Sequence, residues 1–298
     1  MIEPAYAQAQ LPLILSMLQH QGMAPDETDH NVVIHSSKKI PTQVAVIGMG
    51  VGKVVNALQS AGLFSVKPYT SLDRLPYNSV AQVDITGPIL KYGDYCSFGS
   101  IDQADLIARL GAHDRVKGIL LNIDSPGGQV DGTGTFADTI RSVSKQKPVL
   151  AIIQDGMAAS CAMWLAAAAQ EIYVTRAKDR VGSIGAYCTL YDYSGYFEAN
   201  GIKVTDIYAP QSEDKNKDYR DAIAGDDSLI KNELKFLVEE FKKDVVAFRG
   251  ARLNLAAGDP FTGKMYVAKD ALKLGLIDGI KPLSWVMARM EQLIALRN

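Results

Sequence analysis

"VKGILLNIDSPGGQVDGTGTFADTIRSVSKQKPVLAIIQ", residues 116–154, contains two apolar runs separated by one amphipathic stretch. The first run, "VKGILLNID", ends at Asp124, and the second, "KPVLAIIQ", ends at Gln154. Both are continuous and short, which predicts strands buried on both faces. Between them, "DGTGTFADTIRSVSKQ" predicts a helix. Strand, helix and strand in this order imply a parallel sheet with helices on its faces.

The same rhythm extends in both directions. Upstream, "VAQVDITGPIL" predicts a strand and "SIDQADLIARLGAHD" an amphipathic helix with Ser100 as candidate cap. Downstream, "AASCAMWLAAAAQ" predicts a helix, "EIYVT" a strand and "VTDIYA" (204–209) a further strand. A long helix is expected over 227–250, with Ile230, Leu234, Leu237, Phe241, Val245 and Phe248 at helical spacing. Nearer the N-terminus, an amphipathic helix is expected over Gln8–His20. There "QVAVIGMG" predicts a strand and "VGKVVNALQSAG" a helix. The turn formers of "KPYTSLDRLPYN" mark a boundary.

Composition narrows the function. The 298 residues are 47% hydrophobic and 21% charged, as in a globular protein. A net charge of −2 offers no basic footprint, so no nucleic-acid partner is expected. Cys96, Cys161 and Cys188 are too scattered for a disulfide framework or a metal site, so no metal is expected. "GMGVGK" (48–53) departs from the phosphate-binding loop at Ile47 and Val54, and from the dinucleotide pattern at Lys53. No nucleotide cofactor is therefore expected. The run "LPLILSML" is far shorter than a membrane span and no basic segment precedes it, so no membrane anchor and cytoplasmic residence are expected.

Two stretches carry candidate chemistry. In "LLNIDSPGGQVDG" (120–132) a strand ends in a turn whose glycines allow close backbone approach. Backbone N–H groups there can face a developing negative charge. In "DGMAASCAMWLAAAAQ" (155–170) Ser160 and Cys161 stand where a helix begins, beside unpaired amides that favour anions. Ser160 is either a nucleophile or an ordinary N-cap. Cys161 has no histidine partner, and its apolar surroundings suit packing better than attack. The sole histidine of this region, His113, falls at an exposed helix end and is a poor base; a lysine can do the same work where burial lowers its pKa.

The series "DSPGG", "DGMAASCAMWLA", "RVGSIGAY" and "FTGKMYVAKDALKLGLIDGI" resembles the signal peptide peptidase A (protease IV) family of Ser-Lys serine peptidases. Phage head-maturation (capsid) proteases of the same clan share this order. The resemblance implies an α/β fold, a Clp peptidase/crotonase-like superhelix of β-β-α units. It covers about residues 80–282 and not the first 70; the whole chain is expected to comprise a small N-terminal α+β extension (1–70), a peptidase core (71–285) and a C-terminal helical tail (286–298). It implies Ser160 as nucleophile, the amides of Gly128 and Cys161 as oxyanion donors, and Ser183 as a serine holding the catalytic lysine. That lysine is expected in a loop after a strand, here "PQSEDKNKDYRDA" (210–222), where Lys215 and Lys217 compete. Lys215 is favoured as nearer the strand end. The family's usual Ser-Gly or Ala-Gly pair is replaced there by Pro210-Gln211.

A serine endopeptidase is therefore expected, acting on polypeptide as a phage or prophage capsid-maturation protease or a soluble signal-peptide-peptidase relative. Capsid or scaffolding protein is the possible substrate, and a homo-oligomer is expected from the family. The rivals are a crotonase-like acyl-CoA enzyme and a catalytically inactive scaffold of the same fold.

Overall fold

The computed structural model describes residues 44–48, 67–68, 72, 75, 77–93 and 98–297. The helices expected over Gln8–His20 and 51–62 lie outside the described residues. The chain divides into two compact units. One comprises Ile40–Ala186 with Phe236–Asn298, and the other contains Tyr187–Lys235.

The first unit is built on a seven-stranded sheet. Its strands are β1 (Val44–Gly48), β2 (Lys67–Pro68), β3 (Ser79–Thr86), β4 (Val116–Asp124), β5 (Val149–Ile153), β7 (Glu171–Val174) and β10 (Gly279–Ile280). The spatial order is β10-β7-β5-β4-β3-β1-β2. Pairing is parallel from β3 through β10, and antiparallel at β1 and β2. The helices between consecutive strands, α1 (Ser100–Ala112), α2 (Thr133–Gln146) and α3 (Cys161–Ala168), make the crossovers that a parallel sheet requires.

Period-two side-chain alternation distributes β4 between two cores. Ile119, Leu121 and Ile123 join Ile107, Leu110, Phe136 and Ile140 on one side. On the other, Val80, Leu120, Leu150, Ile152 and Tyr173 meet Val286, Met287, Met290 and Leu293 of the helix Leu283–Ala295. Covering on both faces explains why β5 is wholly buried and shows no polar alternation.

A second, smaller sheet contains β6 (Met157–Ala159), β8 (Arg180–Gly182) and β9 (Met265–Val267). Two isolated parallel bridges, Ile89 with Gly128 and Ser125 with Ala158, continue the same pairing. After β3, β4 and β5 the chain thus makes a short extended pairing outside the large sheet before its helix begins. This is the expected β-β-α superhelix.

Ser100 is the first residue of α1 rather than its cap. Gly99 occupies the cap position, and its amide donates to the Asp102 carboxylate at 3.2 Å. Asp102, three positions on, thus holds the cap residue's own amide, and no side chain caps the first-turn amides; Ser100 is buried.

A long helix, Ser228–Arg249, ends at a buried cation. The Arg249 guanidinium donates to both Asp278 oxygens (2.8 and 3.0 Å) and to the Gly275 carbonyl (2.9 Å). Asp278 also accepts the Ile172 amide at 2.7 Å, so the pair ties this helix to the sheet edge. Arg249→Ala takes the bidentate partner from a largely covered carboxylate, leaving it the Ile172 amide and Arg252 at 3.7 Å, and should lower the unfolding free energy by about 3 kcal/mol in denaturant titration, the low end for a broken buried pair. A loss below about 1 kcal/mol, the worth of an exposed pair, would contradict that role.

In the second unit, no residue of Tyr187–Lys235 is buried. The expected strand at 204–209 does not form. Val204 and Ile207 stand on opposite faces of any extended segment, and both are exposed, so no single apolar face exists to bury.

Candidate active site

β5 ends in a turn at Asp155–Gly156 that two carboxylates brace. Asp124 accepts the Met157 amide at 3.1 Å. Buried Asp179 accepts the amides of Thr175 (2.9 Å), Arg176 (2.8 Å) and Gly156 (3.1 Å). After the three residues of β6 the chain reaches Ser160 at φ +52°, ψ −123°, a conformation that L-residues rarely adopt. Its amide donates to the Gly182 carbonyl at 2.8 Å, and its own carbonyl receives Met163 and Trp164. Ser160 occupies the N-cap position of α3, yet its side chain makes no cap bond. The ordinary-cap alternative therefore fails: the hydroxyl is not spent on the helix.

α3 is buried along its whole length, as an all-apolar helix must be. Trp164 anchors it, stacking on Phe241 at 4.6 Å and donating Nε1–H to Asp244 at 3.0 Å. Only its first turn meets the neighbouring "DSPGG" loop. Gly127 (φ +93°) lies so close that an added Cβ would stand 2.7 Å from Ser160 Cβ and 3.1 Å from the Cys161 amide. At Gly128 an added Cβ would run into the Ile89 carbonyl. Two stretches far apart in sequence thus form one corner that admits only glycine opposite the serine.

The orientation of Gly128 follows from its bridge. Ile89 donates to the Gly127 carbonyl (2.9 Å) and accepts the Gln129 amide (2.8 Å). In planar trans peptides the N–H and C=O of Gly128 then point away from Ile89. The Gly128 carbonyl lies 3.4 Å from Cys161 Sγ. The Gly128 and Cys161 amides donate to no backbone carbonyl among the described residues, the latter because it opens the helix, and both face the Cys161 sulfur.

Ser183 follows Gly182 directly and also has positive φ (+53°). Its amide donates to the Lys264 carbonyl at 2.8 Å, which fixes it on the β8–β9 pair beside Ser160's backbone partner. The structure thus gathers Ser160, Cys161, Gly128 and Ser183 in one unit. Burial pushes the Cys161 thiol pKa up, which keeps it protonated and unlike an attacking thiolate.

The lysines lie in the other unit. Lys215 sits in the turn before the helix Lys217–Ile223, exposed, with its amide on the Ser212 carbonyl. Lys217 pairs with Asp221 at 2.8 Å, and that carboxylate raises its pKa. Asp124, Asp179, Ile89 and the Trp164–Asp244 pair were not singled out from sequence. Nothing in "AKDRVGS" distinguishes Asp179 from any loop aspartate.

These features define the class, an α/β spiral of the Clp peptidase type, and a Clp protease profile matches residues 100–177. The profile of Peptidase family S49 matches residues 141–297. The chain belongs to peptidase family S49. A candidate protease of Methanocaldococcus jannaschii is 32% identical over 196 residues, covering 65% of this chain and 61% of the relative. The head-tail preconnector protein GP5 of Enterobacteria phage P21 is 37% identical over 137 residues, covering 44% and 27%. Capsid assembly protease C of Escherichia phage lambda is 30% identical over 176 residues, covering 58% and 39%. The chain therefore spans from about a quarter to three fifths of the length of these relatives. Among the described residues no helix is long and apolar enough to cross a membrane.

Proposed function

We propose that this chain is a serine endopeptidase in which Ser160 is the nucleophile and Lys215 the base. The observation that carries the reading is Ser160 itself: a strained backbone, a hydroxyl spent on no cap, and beside it the Gly128 and Cys161 amides, which no backbone carbonyl takes among the described residues. A nucleophile displayed on a sharp strand-to-helix turn is a recurrent solution in hydrolases.

In the first step neutral Lys215 takes the Ser160 hydroxyl proton as Oγ bonds to the scissile carbonyl carbon. The carbonyl oxygen becomes an oxyanion facing the Gly128 and Cys161 amides, each such donor contributing about 3 kcal/mol. The C–N bond then breaks, and the lysine ammonium gives its proton to the departing amine. Water attacks the acyl-enzyme, passes a proton to Lys215, and the acid leaves as Ser160 recovers its hydrogen. Ser183, placed by Lys264 and Gly182, is assigned to holding the lysine.

Lys215 is preferred to Lys217 because the Asp221 carboxylate keeps the latter charged. A lysine base also needs partial desolvation. Lys215 is exposed within a segment that buries nothing, which supports a homo-oligomer that covers it. Relatives named for phage heads favour capsid or scaffolding polypeptide as the substrate.

One experiment tests these assignments together. The purified chain is separated by size, and each fraction is assayed with casein and with an acyl-CoA thioester. Casein cleavage in oligomeric fractions is expected. Thioester hydrolysis alone would instead support the crotonase-like rival, and cleavage confined to monomer would exclude the assembly.

A further inference from the structure

Cys161 contributes its amide to the proposed oxyanion site, but its side chain has no role in that chemistry. The thiol is 2% exposed, with Sγ 3.4 Å from the Gly128 carbonyl and 3.3 Å from that of Gln129. We propose that the Cys161 side chain is a positioning residue, whose S–H, shared between these two carbonyls, fixes the backbone that aims the Gly128 N–H at the oxyanion. This rests on the peptidase reading with Ser160 as nucleophile.

The surrounding bonds show why a clamp acts there. From one side, Ile89 holds the loop through the Gly127 carbonyl and the Gln129 amide. Thr133 Oγ1 donates to the Gln129 carbonyl at 2.7 Å, and the Gln129 side chain accepts the Lys91 amide at 2.8 Å. The Gly128 carbonyl, on the face away from Ile89, has only the thiol as partner among the described residues. Glycine at 127 and 128 leaves this backbone without side chains to limit its rotation. Without the S–H, the Gly128 carbonyl loses its donor and the loop is held at this point from the Ile89 side alone. Since burial raises the thiol pKa, the proton needed for donation is present at neutral pH.

Three variants separate this role from packing. Cys161→Ala removes the donor, Cys161→Ser restores a hydroxyl, and Ser160→Ala reports on the underlying mechanism. For each, kcat, KM, melting temperature and inhibition by a substrate-derived peptide aldehyde are measured, because the aldehyde adduct places an oxyanion at the same amides. Cys161→Ala should lower kcat and weaken aldehyde binding by about 10- to 100-fold, with KM within about twofold. Cys161→Ser should recover most of both losses.

Parent-like kcat in Cys161→Ala, or a fall in kcat and melting temperature with aldehyde affinity unchanged, would overturn the proposal. Should the alanine variant not fold, a folded Cys161→Ser variant that binds aldehyde poorly would overturn it as well. Cleavage that survives Ser160→Ala would instead reject the peptidase mechanism, whatever the cysteine variants do.

Discussion

Ser160→Ala will lower kcat/KM for peptide cleavage by about 10⁴- to 10⁶-fold, the range expected when a nucleophile is removed from a working unit. The fold should survive, because the side chain makes no cap bond that the helix would miss. Ser160→Gly sharpens the prediction. At φ +52° a serine carries backbone strain of order 1–3 kcal/mol, which glycine relieves. The glycine variant should therefore be as inactive as the alanine variant and yet unfold at higher denaturant concentration than the parent. A site that stores strain for chemistry behaves in this way, whereas a mere cap does not. Retention of even one tenth of parental activity in both variants would remove Ser160 from the mechanism.

The second large effect concerns the base. Lys215→Met should cost about 10²- to 10⁴-fold in kcat, while Lys217→Met should stay within about twofold. Lys217 cannot easily serve, since pairing with Asp221 raises its pKa and keeps it protonated to higher pH. A lysine acts as base only when neutral, so kcat/KM should climb with pH as that proton is lost. In Lys215→Met the residual rate should lose this rise. If Lys217→Met is the dead variant, the two roles are exchanged. A parental profile that is flat from neutral to alkaline pH argues against any lysine base.

Much of this architecture is legible in the sequence because burial on both faces leaves a plain trace. The continuous apolar runs at 116–124 and 149–153 are central strands, and the all-apolar Cys161–Ala168 is a buried helix. The "DSPGG" corner was legible for a related reason, since a backbone that must approach a neighbour can use only glycine. Where contacts are set by partners remote in sequence, the pattern says little. Asp179 braces the turn before Ser160 through three amides, but its neighbours in the chain look like those of any loop. "VTDIYA" has strand-forming residues but no apolar face, and nothing pairs with it among the described residues. The cap of Ser100–Ala112 passed to Gly99 and Asp102, a choice that depends on which side chain the core takes in.

The most direct test is to label active protein with a serine-directed phosphonate and map the modified residue by mass spectrometry. A single adduct on Ser160, formed in step with loss of peptidase activity, is the predicted result. An adduct on Cys161, or loss of activity with no mark on Ser160, would contradict the central assignment.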